Sequence, residues 1–234
     1  MTQMTFDQNL IDEVEKLNTN SSPTRNRQFD HQGYLILRNF CDVTEYVENA
    51  PRERGKISYR QDEFHFDYVA EEPQVNGSLA RYGHPKFKQL HTDIRLKIEN
   101  IIGRKLFNTY YYDRFYFVGQ ELPNHLDRDA CEISVSLHIS SNPAKIEWPF
   151  WIKDVQENHV SVVLNPGDMV IYKGCERPHW RHPLKSAYSK KELFFRNLKK
   201  LKDDTWYHQI FFHYVLADGI RLQHAGDIGI NHEN

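Results

Sequence analysis

The order of elements along the chain predicts an α+β fold: helices in the first half, then a small β-barrel or jelly roll. Three observations carry this. Apolar residues recur at a helical period near the start and again before Gly103, runs of β-formers dominate from Phe107 onward, and turn residues cut those runs into short strands.

Taken in order, residues 5–18 place Thr5 and Gln8 at capping-box spacing, then repeat Phe6, Leu10, Ile11, Val14 and Leu17 along one helical face. After a polar stretch, FDHQGYLILRNF (29–40) combines a turn glycine with β-formers and predicts a lead-in strand. Residues 51–83 are charged and give no clear period. Phe87, Leu90, Ile94, Ile98 and Ile101 then form a second helical stripe, with Gly103 placed to cap it. TYYYDRFYFVG (109–119) reads as an aromatic strand. ISVSLHIS (133–140) alternates Ile133, Val135, Leu137 and Ile139 with Ser134, Ser136 and His138. HVSVVL (159–164) and DMVIYK (168–173) flank the turn Asn165-Pro166-Gly167, and QIFFHYV (209–215) closes the series. The expected organisation is one domain over residues 1–234, with support from 1–106 and a β core over about 107–220.

Composition narrows the function classes. A hydrophobic content of 39% with 13% aromatics favours a folded chain over a disordered one. The net charge of −2 gives no support for a nucleic-acid or membrane-surface partner, although local basic patches stay possible. Cys41, Cys131 and Cys175 are odd in number and lack CxxC spacing, so no disulfide framework or zinc ribbon is expected. The opening MTQMTFDQNL has no basic segment followed by an apolar one, and no apolar run is long enough to span a bilayer. A cytoplasmic, soluble protein is expected.

The chemistry lies in histidine and aspartate. Non-haem iron sites use two histidines and one carboxylate on one face of the metal, leaving other positions open. An HxD pair on an extended segment supplies two of these, because residues two apart in a strand share a face. The motif occurs three times here. His91-Thr92-Asp93 falls in the second helix, where residues two apart diverge around the axis, and is expected to be solvent-facing. His65-Phe66-Asp67 sits in the charged region without an obvious partner strand. His125-Leu126-Asp127 follows an aromatic strand and precedes the best alternating one, so it is the preferred pair.

The stretches FYFVGQELPNHLDRDACEIS (115–134), LNPGDMVIYKGCERPHWRHPL (164–184) and HQIFFHYV (208–215) together resemble the 2-oxoglutarate/Fe(II) oxygenases, in particular the prolyl-4-hydroxylase-like branch. Tyr116, Gly119, Gln120 and His125 match one part of that pattern, and Gly167, Asp168, His179 and Pro183 another. The resemblance implies a double-stranded β-helix of jelly-roll, cupin-like form, with His125, Asp127 and His179 holding Fe(II). His182 is the alternative third ligand, and the proline spacing favours His179.

The resemblance also implies 2-oxoglutarate as co-substrate, its far carboxylate held by a hydroxyl and a basic group. Tyr116 matches the hydroxyl. The family's lysine or arginine falls ten residues after the distal histidine, where this chain has Ser189. Arg181, on the face of His179 in a regular strand, is preferred; His208 is second, and Lys190 and Lys191 remain open. Residues 185–205 form an insertion of lysines, arginine and apolar residues, read either as a solvated surface helix or as a gate over the barrel mouth that could grip an acidic substrate. Trp148, Phe150 and Trp151 are expected to fill the core in preference to lining a substrate pocket.

With O₂, the implied reaction is hydroxylation of a C–H bond with release of succinate and CO₂, on a small molecule or a peptide. Asp127 argues against halogenation, in which the carboxylate gives way to a small residue. A cupin-like metalloenzyme using another divalent metal and a non-catalytic jelly-roll binding module are the rival classes.

Overall fold

The computed structural model describes residues 27–51 and 74–229. The expected helix at 5–18 and the His65-Phe66-Asp67 motif lie outside the described residues. Segment 29–40 is only half strand. Its first residues continue a short helix, α1 (Arg27–Gln32), and Gly33, at φ +78°, turns the chain into β1 (Tyr34–Leu37). A left-handed φ at this turn is what glycine adopts without strain.

Strand β2 (Leu79–Tyr82), in the stretch without a readable period, precedes α2 (Lys88–Ile102). The expected stripe is its buried face: Leu90, Ile94 and Ile98 lie in the core, and Gly103, at φ +68°, closes the helix by donating its N–H to Glu99 O. Burying each such side chain contributes about 1.5–3 kcal/mol. His91 corrects the sequence reading. It is buried, stacked on Phe212 and tilted against Tyr214, while Asp93 is exposed. A neutral imidazole packs like an aromatic ring when its N–H has an acceptor, here His213 O at 3.2 Å from Nε2.

The remaining strands are β3 (Leu106–Phe117), β4 (Leu122–His125), β5 (Ile133–Asn142), β6 (Phe150–Lys153), β7 (His159–Val162), β8 (Met169–Tyr172) and β9 (His179–Arg181). Helix α3 (Lys190–Leu198) and β10 (Trp206–Leu216) complete the order. They form two antiparallel sheets, β1-β8-β5-β10-β3-β2 and β4-β9-β6-β7, facing each other as a jelly roll. Ile133, Val135, Leu137 and Ile139 of β5 share one apolar cluster with Ile210, Phe212 and Tyr214 of β10 and with the α2 stripe. The opposite faces, bearing Ser134, Ser136, His138, Tyr207, Gln209 and His213, are buried as well and line the space between the sheets.

Candidate metal centre

His125 ends β4 and His179 opens β9, and these two residues are direct partners in the antiparallel register. That pairing brings their rings to 4.2 Å between centroids on one side of the small sheet. Asp127 lies just past β4, where its backbone N–H donates to Gly174 O at 3.0 Å. Its Oδ1 stands 3.4 Å from His125 Nε2 and 3.5 Å from His179 Nε2. One donor atom from each of the three lies within 4.8 Å of the others.

Protons decide what these distances mean. His125 Nδ1 lies 2.8 Å from Pro123 O, and His179 Nδ1 lies 3.0 Å from Arg177 O. A carbonyl can only accept, so in the neutral rings Nδ1 carries the proton and Nε2 keeps a bare lone pair. Two lone pairs and a carboxylate oxygen therefore converge at separations long for hydrogen bonds. Such a group is self-repelling until a cation enters it. Burial raises the Asp127 carboxyl, and a positive charge on the imidazole side outweighs that and holds it well below the usual range, so a cation in this group, imidazolium or metal, keeps the carboxylate ionised.

The second oxygen of Asp127 is held from behind. Ser134 Oγ donates to Oδ2 at 2.7 Å and lies 3.0 Å from His213 Nδ1, making a chain from His213 through Ser134 to Asp127. Gly174 completes the support, because a Cβ there would collide with Asp127 Oδ2, Cys131 O and Ser134 Oγ. Asp127, Cys131 and His213 form a second cluster of possible ligands. It is the poorer donor set: burial pushes the Cys131 thiol well up, and its sulfur lies 3.2 Å from the Tyr110 hydroxyl.

Outside the three side chains lies a cavity of about 280 Å³, lined in part by Tyr82, Tyr110, Tyr112, Arg128 and His213. Larger hollows of about 430 and 530 Å³ occur elsewhere, but neither is lined by any of the three.

The sequence matches no family model and no curated protein. Solved structures do match across most of the chain. An oxidoreductase of the 2OG-Fe(II) oxygenase family from Burkholderia pseudomallei aligns at TM-score 0.53 and 10% identity, over 98% of this chain and 97% of its own. A prolyl hydroxylase from Trichoplax adhaerens, solved with a fragment of the hypoxia inducible factor oxygen degradation domain, aligns at 0.52 and 13%, over 90% and 94%. HygX from Streptomyces hygroscopicus, solved with nickel, 2-oxoglutarate and hygromycin B, aligns at 0.53 and 12%, over 86% and 94%. The fold is that of the 2-oxoglutarate/Fe(II) oxygenases.

In this oxygenase fold the interior behind the three side chains is buried and carries polar groups. Arg181 is fully buried, its guanidinium over the rings of Trp148 and Tyr207 at 4.5 and 5.0 Å. One terminal nitrogen donates to Trp148 O and the other to Gln209 Oε1 at 2.9 Å, leaving its Nε without an acceptor. Gln209 Nε2 and Ser136 Oγ are likewise buried without partners. Tyr116 is buried against Trp148, and its hydroxyl accepts from Arg114 Nη1 at 3.2 Å.

The other candidates lie apart. His208 faces the opposite side of β10, with its ring on Phe115 and Nε2 3.0 Å from Asp113 Oδ2. Lys190 and Lys191 are exposed on α3. His182 is exposed, with its ring at the edge of Trp151. Trp148 and Phe150 are buried as expected, whereas Trp151 is half-exposed and stacked on Trp180. Gly167 and Asp168 have a local role: Asp168 accepts from the backbone N–H groups of Asn39 and Asn165 and from Arg38. Sequence reasoning missed Ser134 and His213 as supports, and Arg114 as an inward cation. Arg114 lies on the face that period two groups with Tyr116, already singled out, whereas Ser134 and His213 had no such signal.

Proposed function

We propose that this protein is an Fe(II)- and 2-oxoglutarate-dependent dioxygenase that hydroxylates an unactivated C–H bond. The observation that carries the reading is the convergence of His125 Nε2, His179 Nε2 and Asp127 Oδ1, with each ring's Nδ1 within hydrogen-bonding distance of a backbone carbonyl. The donor set fits iron: two neutral imidazoles and one carboxylate, with the ring protons held by backbone carbonyls. The buried Arg181 Nε, Gln209 Nε2 and Ser136 Oγ fit a carboxylate-bearing co-substrate, because buried donors need acceptors and a carboxylate supplies them. The match to HygX, whose structure holds 2-oxoglutarate with nickel, supports the same assignment.

When bound, iron with 2-oxoglutarate and O₂ supplies the oxidising chemistry, releasing succinate and CO₂. This chain's residues do the rest. His125, His179 and Asp127 hold the metal. Ser134, fixed by His213, keeps the Asp127 carboxylate turned so that Oδ1 faces inward. Arg181 anchors the far carboxylate of the co-substrate, with Tyr116 across the Trp148 indole lending a hydroxyl. The tyrosines of the outer cavity exclude water and receive a small-molecule or peptide substrate.

The test is succinate formation from 2-oxoglutarate by purified, metal-stripped protein. Fe(II) should restore it; Zn(II) and Mn(II) should not. Hydrolase or isomerase turnover with those metals and no succinate would move the chain to the rival metalloenzyme class. Folded protein that binds no divalent metal would leave only the binding-module reading.

A further inference from the structure

Of the two readings of residues 185–205, the surface helix agrees with the exposed helix found there, and the gate over the barrel mouth does not agree with its position. This segment joins β9 to the start of β10, where Trp206 pairs with Phe117 and Ala187 N–H donates to Thr205 Oγ1. His213, which backs the candidate metal site, lies seven residues further along β10, roughly 23 Å away at about 3.3 Å per residue. Helix α3 is therefore at the end of the barrel remote from the metal side chains, and it needs another explanation.

Most of its large apolar residues face outward. Ser189 and Glu192 form a complete capping box, so the helix start is well defined. The side facing the body carries the half-buried Leu193 and Arg196, and Arg196 pairs with Asp204 at 2.9 Å, donates to Lys202 O and lies over the Tyr188 ring at 4.1 Å. The outward side is apolar. Phe194, Phe195 and Leu198 are 60%, 51% and 66% exposed, with Leu201 just beyond at 49%, and no residue of the helix is buried. Around them, Lys185, Lys190, Lys191, Lys199, Lys200 and Lys202 outnumber the acids Glu192, Asp203 and Asp204, the last of which already pairs with Arg196, in a chain whose net charge is −2. A rigid helix that turns its large apolar residues to water within a collar of lysines is shaped for a surface that is apolar inside and anionic outside.

We propose that α3 docks this protein onto an anionic lipid surface. Phe194, Phe195, Leu198 and Leu201 enter the boundary between headgroups and acyl chains, while the lysines meet lipid phosphates and carboxylates. A helix whose apolar residues protrude suits a deformable bilayer better than a protein partner, which would have to bring a matching groove. Attachment is peripheral, since no helix among the described residues is long and apolar enough to cross a membrane. This local patch overrides what the net charge alone suggested. The proposal does not depend on the metal site.

Co-sedimentation of the full chain with vesicles tests it, using phosphatidylcholine alone and phosphatidylcholine mixed with phosphatidylserine. Wild-type protein should pellet with the mixed vesicles only, and high salt should release it. The triple variant Phe194→Ser, Phe195→Ser, Leu198→Ser should lose binding. Lys190→Gln, Lys191→Gln, Lys199→Gln should weaken it on the order of 100-fold, given the contribution of each lysine near such a surface. Both variants should keep the far-ultraviolet circular dichroism of the parent and its succinate production. Absence of wild-type binding to the mixed vesicles, or equal binding by the serine variant, overturns the proposal. So does a dimer that the serine variant abolishes without any vesicle binding, which would make a second copy the occupant.

Discussion

Strand β5 has two buried faces of opposite chemistry on one backbone. Ile133, Val135, Leu137 and Ile139 pack against α2 in a saturated apolar cluster, whereas Ser134, Ser136 and His138 face the space between the sheets. The first face is satisfied by neighbours of its own kind. The second contains Ser136 Oγ without a partner and Ser134 committed to Asp127, and it continues on β10 into Gln209 with an idle amide nitrogen. Burial that leaves polar atoms unpaired costs stability, so the inner face reads as a surface kept for ligands.

The two faces should therefore fail differently. Leu137→Ala on the apolar face should cost about 2–5 kcal/mol of stability through lost burial and a residual cavity. Urea midpoints measure this, and Fe(II) affinity of the folded fraction should stay at the parental value. Ser134→Ala on the inner face should show the reverse: iron affinity falling roughly 10- to 100-fold, with the unfolding midpoint near that of the parent. Equal effects of both variants on both properties would erase the distinction.

Further along the inner face, Arg181→Met should weaken 2-oxoglutarate binding by about 10-fold or more while iron still binds, because charge-assisted hydrogen bonds contribute about 1.5–3 kcal/mol. Titration calorimetry with each ligand in turn separates the two. Retained co-substrate affinity would shift the anchor towards Arg114, which bonds the Tyr116 hydroxyl.

How far these features were legible depended on whether a pattern recorded the environment as well as the geometry. The stripe Leu90, Ile94, Ile98 and its Gly103 cap named α2 almost to the residue, since periodicity and a left-handed cap are local properties. His125 and Asp127 stood out through their HxD spacing and His179 through the family resemblance, and the three converge in space. Alternation along β5 gave two faces without saying that both are buried. His91 was read as wet because it is polar, yet aromatic neighbours from distant strands enclose it. Strands β4, β6 and β9 have at most four residues and were not resolved by period. Arg114 was concealed in an aromatic run. The position of α3 depended on which end of the barrel receives the insertion, a property of the sheet pairing alone.

The smallest expected effect at neutral pH belongs to His91, on the apolar side. Burial holds its imidazole down to about 3, only partly opposed by its bond to His213 O. A base with a lower pKa folded than unfolded binds fewer protons when folded between those values. Its contribution is thus complete above about 6.5 and declines as pH falls towards 3, by up to ~1.4 kcal/mol per unit. His91→Leu should make stability against pH shallower in that window, as read from urea midpoints at successive pH values.

The most direct measurement is anaerobic addition of Fe(II) and then 2-oxoglutarate to the purified chain, followed by visible absorption. A weak charge-transfer band should appear only when both are present and should be lost in Asp127→Ala. A folded wild-type protein that gives no band, or an Asp127→Ala variant that gives the same one, would contradict the assignment of the inner face to iron and its co-substrate.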